Sequence, residues 1–180
     1  MSKAGFYRYF KLCRFSQPAH ERALYRSVKT DNVRRIVEIG VGHGQRTGNL
    51  LASILRQHQA DDIRYAGIDL FEAGGADAIP LKEFHSKLKP FNVNVRVLPG
   101  NASSALQRAA NDLRGTDWVI VSGDQPEESI DAAWHFLPRM LHQKSKVWIE
   151  SPERNSFEIL TARDVSEQLA LRVKNRRRAA

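Results

Sequence analysis

A few carboxylates and a run of glycines are the residues of this chain best equipped for chemistry. Glu38 stands just before Gly40, Gly42 and Gly44, three glycines at alternate positions. Such glycines let the backbone turn sharply and let a ligand approach it with no Cβ atoms in the way. Dinucleotide turns read Gly-x-Gly-x-x-Gly, but here the last position of that spacing is Gln45. A carboxylate beside the turn would repel a pyrophosphate and suits a ligand carrying positive charge. Asp69 closes a second apolar run, roughly 20–30 residues after the turn, where an acidic ribose reader is expected. Both ribose hydroxyls can donate to one carboxylate, so Asp69 is the natural clamp, with Glu72 as the alternative. The plainer reading of such an Asp is a turn cap; its place after the glycine turn puts the ribose reading ahead. Asp124 follows a further apolar run and is the best-placed base, with His43 and His20 as weaker ones.

These residues need elements to hold them. The run at Arg35 to Ile39 reads as a buried strand, and Gln45 to Gln57, with Leu50, Leu51, Ile54 and Leu55, as the helix that follows the turn. The N-terminus of that helix offers free N–H groups to a ligand. A second strand ends at Asp69. Residues 73–79, with Gly74 and Gly75, read as a loop over the ligand edge of the sheet, and Pro80 opens a helix carrying Leu81, Phe84, His85 and Leu88. Val93, Val95 and Val97 alternate with polar residues, as in a half-exposed edge strand. Ser103 and Ser104 cap the next helix. Asp117 to Val121 reads as the fourth strand, residues 129–141 as a helix, and Ser145 to Glu150 as the fifth strand. Alternation of this kind implies a parallel sheet with right-handed crossovers: an α/β, three-layer sandwich, doubly wound and mostly parallel. The chain, 180 residues long, reads as one domain over 1–180, with an N-terminal arm at 1–17 and a basic tail at 175–180.

The stretch Val37–Gly44 resembles motif I of the class I S-adenosylmethionine-dependent methyltransferases, an acid-x-Gly-x-Gly-x-Gly pattern, and the chain resembles a small, bacterial-type member of that Rossmann-like family. S-adenosylmethionine carries an ammonium and a sulfonium and no phosphate, in keeping with a carboxylate at the turn. The resemblance spans roughly residues 18 to 150 and rests on four places in order: Glu38 with its glycines, Asp69, Asn101-Ala102, and the exit at Ser122–Gln125. It implies that Glu38 takes the ligand ammonium directly or through water, and that the backbone at Gly40, Gly42, His43 and Gly44 cradles the methionine moiety. Asp69 would hold the ribose, and Leu70 or Phe71 would pack on the adenine. Asn101 stands where the family often has an acid that meets the adenine amino group; an amide can still accept there and can also donate to a ring nitrogen. The family also places a helix before the first strand, here about Pro18 to Val28, whose His20 and Glu21 either face the pocket or end a solvated helix.

The acceptor half of the site is thinner. In one methyltransferase subgroup the exit of strand four reads Asp-Gly-Asp-His; here it reads Ser122-Gly123-Asp124-Gln125, and only Asp124 survives as a base. Catechol-type members bind magnesium with an acid after strand four and an Asp-Asn pair after strand five. Here that exit is Glu150-Ser151-Pro152, so no metal is expected. The part after Glu150 is short for the family: Phe157 to Leu160 as a strand or turn, Ala162 to Ala170 as a helix, and Leu169 to Lys174 as an added edge strand.

Composition bounds the partners. A net charge of +8 and a pI near 9.9 make RNA or another anion worth testing, although many small proteins are simply basic. Residues 1–20 mix Lys3, Arg8, Lys11 and Arg14 with Phe6, Tyr7, Tyr9, Phe10, Leu12 and Phe15. An RNA or membrane-surface contact, a transit peptide, and a structural arm packed on the domain or on a second subunit compete; the arm is favoured and would suit a homodimer. No apolar run reaches the roughly 20 residues that span a bilayer, and the lone Cys13 fits a cytoplasmic setting. The reading is an S-adenosylmethionine-dependent methyltransferase with a small-molecule acceptor. The alternatives are a non-catalytic S-adenosylmethionine or nucleoside-binding protein of the same fold, and an RNA-directed methyltransferase.

Overall fold

β1 (Arg35–Ile39) lies inside a six-stranded sheet and sets its layout, because the chain leaves it in both directions. On one side come β2 (Arg64–Asp69) and β3 (Asn94–Pro99); on the other come β4 (Thr116–Val121), β5 (Leu141–Ser151) and β6 (Ser156–Thr161). The order is β3-β2-β1-β4-β5-β6, with every pair parallel except β5 with β6. The computed structural model describes residues 3–179, and side chains at 7 and 9–174. The order reverses between β1 and β4, and ligands of open α/β sheets bind outside the strand ends at such a reversal.

Residues buried on both faces make the central strands. Ile36, Val37 and Ile39 of β1, and Trp118, Val119 and Ile120 of β4, are all shut from solvent. Successive side chains alternate between faces, so each strand feeds two cores. One holds Tyr25, Leu50, Ile54, Phe84, Trp118 and Trp148, and is covered by α2 (Arg22–Asp31), α3 (Gln45–Ile54) and α4 (Leu81–Leu88). The other holds Val37, Ile68, Leu106, Trp134, Met140 and Val165, under α5 (Ala102–Ala109), α6 (Glu127–Ala133), α7 (Leu137–Met140) and α8 (Ala162–Ala179). The result is the expected three-layer, doubly wound sandwich. Each fully buried large apolar side chain contributes about 1.5–3 kcal/mol, so the two cores outweigh any single polar contact.

The ends depart from expectation. Residues 169–174 do not form an edge strand; they continue α8, whose exposed face carries Glu167, Leu171 and Lys174. The added strand is β6, which returns antiparallel along β5 through the turn at 152–155. The basic tail at 175–180 lies outside the described side chains. The N-terminal arm is a helix, α1 (Lys3–Phe15), packed on α2 and α3. Leu12 and Cys13 reach the core, and Tyr9 lies 4.2 Å from the Arg56 guanidinium, while Tyr7, Phe10 and Phe15 stay exposed. Before β1, a 3-10 turn at Ala19–Glu21 precedes α2, which buries Leu24, Tyr25 and Val28. Among the described residues no helix is long and apolar enough to cross a membrane.

Candidate functional site

A cleft of about 440 Å³ opens at the C-terminal end of β1, β2 and β4. It is bounded by the glycine turn, the Asp69–Leu70 corner, residues 74–79, Asn101 and the exit from β4. Of the sequence-predicted residues, Gly42, His43, Asp69, Leu70, Asn101 and Asp124 line it together.

Asp69 sits at the last position of β2 and ties that strand to the turn. Its Oδ2 accepts from the Val41 N–H at 2.8 Å and the Gly42 N–H at 3.3 Å, and its Oδ1 from the Leu70 N–H at 2.7 Å. A carboxylate has about four lone-pair sites, so three amides leave room for a further donor. Leu70, next to it, is 41% exposed, whereas Phe71 is buried against Phe84. Only Leu70 is therefore open to a ligand. An apolar side chain left exposed in a cleft, with buried Ile79 also lining it, is suited to a planar base.

The three glycines serve different ends. All have positive φ. A Cβ at Gly40 would lie 2.6 Å from the Ser122 Cβ and 2.7 Å from the Gln125 Nε2, so this glycine admits the β4 exit. A Cβ at Gly44, the N-cap of α3, would lie 3.1 Å from the Phe84 ring. At Gly42 a Cβ would meet nothing within 4 Å, so only this glycine of the three faces open space.

Glu38 does not face the cleft. It is wholly buried, and its oxygens are held by the Arg46 Nε at 2.7 Å, the Thr47 hydroxyl at 2.6 Å and the Tyr65 hydroxyl at 2.7 Å. Direct contact with a ligand ammonium gives way to a positioning role. Arg46 also donates to the Gly40 carbonyl at 2.8 Å and to Glu150 at 3.0 Å, so Glu38 fixes the turn through it. Burial works against the Arg46 charge, but Glu38 and Glu150 outweigh it and raise its pKa above the usual value. Burial and the Glu38 charge hold the Tyr65 phenol well above its ordinary range, so it stays a donor.

Glu150, at the end of β5, is the second anchor. It meets the His20 Nε2 at 2.6 Å and accepts from the Ser122 hydroxyl and the Gly123 N–H, both at 3.2 Å. Burial would raise its pKa, but Arg46, the Gly123 N–H and His20 together hold it below the usual carboxylate value. His20 is bound on its other nitrogen to Asn155 at 2.6 Å, and buried Glu21 accepts from Tyr25 at 2.7 Å. Neither His20 nor Glu21 is free to meet a ligand, and neither is a solvated helix end. Among the described residues no group of three or more His, Cys, Asp or Glu gathers to hold a metal.

Two other placements differ from expectation. Ala102 is fully buried in α5 and gives the cleft nothing. Asn101, not Ser103 or Ser104, is the N-cap: its Oδ1 accepts from the Ser104 N–H at 2.8 Å. Its amide NH2 has no partner among the described residues and its oxygen keeps a second lone pair, so both groups stay available at the cleft. Ser122 is occupied by Glu150 and lies outside the cleft wall. Asp124 is exposed and accepts from the Gln125 Nε2 at 3.1 Å. The network of Arg46, Thr47 and Tyr65 is absent from the sequence reading; the available signal was an arginine in the first turn of the helix that follows an acid-bearing turn. Asp77 and Ile79, in the loop expected over the ligand edge, and Gln125, in the expected β4 exit, line the cleft as well.

No protein-family model matches the chain, and no curated protein matches it in sequence. Solved structures do match in shape. An O-methyltransferase of Bacillus cereus in complex with SAH aligns at TM-score 0.58 and 16% identity, over 83% of this chain and 66% of that one. The O-methyltransferase TomG of Streptomyces achromogenes, in complex with SAM, gives 0.55 and 19% over the same shares, 83% and 66%. A TehB-like SAM-dependent methyltransferase of Corynebacterium glutamicum gives 0.53 and 15% over 94% and 81%. The chain thus spans just under two thirds of the first two structures. At these identities the likeness is one of fold, and the fold is the Rossmann-like methyltransferase fold.

Proposed function

We propose that this protein binds S-adenosylmethionine in the cleft at the ends of β1, β2 and β4 and passes its methyl group to a small-molecule acceptor. The observation that carries the reading is the convergence of three features: Asp69 with acceptor capacity left over, Leu70 exposed beside it, and the open space above Gly42. These fit a ribose, a base and the chain that joins them to a methionine end. That the fold neighbours include structures in complex with SAH and SAM supports the same cofactor.

When bound, S-adenosylmethionine supplies a methyl group on a positively charged sulfur, open to in-line displacement by a nucleophile. The protein then needs chiefly to align the two partners. Asp69 fixes the ribose end, and Leu70 covers the base. The Glu38–Arg46–Glu150 network holds the turn and the β5 exit in one geometry. Asp124, exposed on the cleft wall, takes the acceptor's proton where the acceptor must lose one; Gln125 donates to one of its oxygens and leaves the other open.

One observation favours a second reading, binding without transfer. The Gln125 amide stands over Gly40, and Ser122 is committed to Glu150, so the β4 exit offers one carboxylate and no other base. Calorimetry with S-adenosylhomocysteine tests the shared step, and a label-transfer assay with methyl-labelled S-adenosylmethionine over a panel of hydroxylated small molecules separates the two. Saturable binding with label in an acceptor supports the methyltransferase. Binding with no transfer to any acceptor supports the second reading. Absence of binding overturns both. A cytoplasmic setting and a homodimer joined through exposed Tyr7, Phe10 and Phe15 complete the proposal.

A further inference from the structure

The opposite end of the sheet carries a second recess. Arg35 of β1 lies in register with Arg64 of β2, on strands about 4.8 Å apart. Like charges placed side by side across strands are destabilising. Alternate residues share a face, so these two arginines lie on the side of Val37 and Ala66. Arg96 of β3, in register with Ala66, is on that side as well. With Arg114, in the turn after α5, they line a recess of about 180 Å³ floored by Val37 and Ala66.

The charges in this recess do not balance. Its lining includes a single acid, Asp112, which pairs with Arg96 at 3.0 Å. Arg35 is held in place by the Arg114 carbonyl at 2.9 Å, and Gly115 makes room for it, since a Cβ there would lie 2.8 Å from the Arg35 guanidinium. The guanidinium groups of Arg64 and Arg114 have no hydrogen-bond or ion-pair partner among the described residues. Guanidinium groups do not give up their protons in proteins, so titration cannot relieve the repulsion. An anion can.

We propose that this recess binds the phosphate group of a small phosphorylated ligand. The planar guanidinium fork matches phosphate oxygens two at a time. Arg35 and Arg96 are held by their own partners, and Arg64 and Arg114 bring unused donors. A dianion offsets the excess charge better than a carboxylate does. A small recess fits one compact group, whereas single-stranded nucleic acid is bound along a groove with stacking aromatics, and no aromatic ring is exposed in this lining. The recess is at the end of the sheet away from the proposed cofactor cleft and does not rest on that reading.

The test is an NMR titration of the isotope-labelled protein with inorganic phosphate at constant ionic strength, with acetate as the monoanion control. Saturable shifts are expected at Arg35, Arg64, Arg96 and Arg114. In Arg64→Gln/Arg114→Gln, whose altered side chains hold nothing in place, affinity should fall at least about tenfold, as loss of two charged hydrogen bonds implies. The rest of the spectrum should stay as in the parent, and Arg64→Gln alone should give an intermediate loss. No saturable shift, equal affinity in the double variant, or equal binding of acetate would overturn the proposal. An RNA decamer without a terminal phosphate that displaces phosphate from these four residues would overturn it in favour of nucleic acid.

Discussion

Asp69 works in two directions: it ties the glycine turn to β2 through the Val41 and Gly42 amides, and it faces the cleft. Asp69→Ala is therefore expected to weaken S-adenosylhomocysteine binding by about 1.5–3 kcal/mol, the range of a hydrogen bond to a charged group, as read by calorimetry. Normal binding in that variant would move the ribose contact elsewhere. Glu72, the sequence alternative, is a weak candidate, because its carboxylate accepts from the Leu81 N–H at 3.0 Å. Gly42→Val should abolish binding by filling open space. Its φ of 51° is strained for Val, at a cost of about 1–2 kcal/mol, so circular dichroism must first show a folded protein.

At the scale of elements, the turn is only as fixed as the network behind it. Arg46→Ala leaves Glu38 buried and unpaired, and a broken buried ion pair typically costs about 3–5 kcal/mol; denaturant unfolding is the measure. The Glu150 carboxyl is held below its ordinary range by Arg46, the Gly123 N–H and His20 acting against burial. Its contribution to stability is therefore present at neutral pH and lost as pH falls through that lowered value. Glu21 has the opposite sign. Burial raises its pKa despite the bond from Tyr25, so its ionised form costs stability above the ordinary carboxylate range. Glu21→Gln should raise the melting temperature at pH 7, with the gain shrinking as the medium is acidified. An equal gain at both pH values would refute the assignment.

How much of this was legible in the chain follows from distance along it. β1 was read at its observed limits because apolar run, turn and helix are neighbours in sequence. Asp69 was legible from spacing, and the 74–79 loop from its place after β2. The true work of Glu38 was not, since one partner, Tyr65, is on another strand and the Arg46–Glu150 link spans 104 positions. Residues 169–174 misled because Leu, Ala and Val suit helix and strand alike in a short window; what decides is that α8 buries Val165 against the sheet. The place of Asn101 on the cleft wall is legible, whereas its second task, capping the N-terminus of α5 with its side-chain oxygen, is not.

For the whole molecule, the sheet carries a depression at each end, an open cleft at the C-terminal strand ends and an arginine recess at the other. Ligand that binds only the folded state adds about 2.7 kcal/mol at one hundred times its Kd, or about 5–10 °C for a chain of this size. S-adenosylhomocysteine should produce that rise in the parent protein and not in Gly42→Val, as followed by thermal unfolding. Phosphate should still raise the melting temperature of Gly42→Val if the two ends act independently. The most direct test of the cofactor cleft is an NMR titration of the labelled parent protein with S-adenosylhomocysteine. The expected result is saturable shifts at Gly42, His43, Asp69, Leu70 and Asn101, with Arg64 and Arg114 unmoved. No saturable shift, or shifts that map away from the glycine turn, would contradict it.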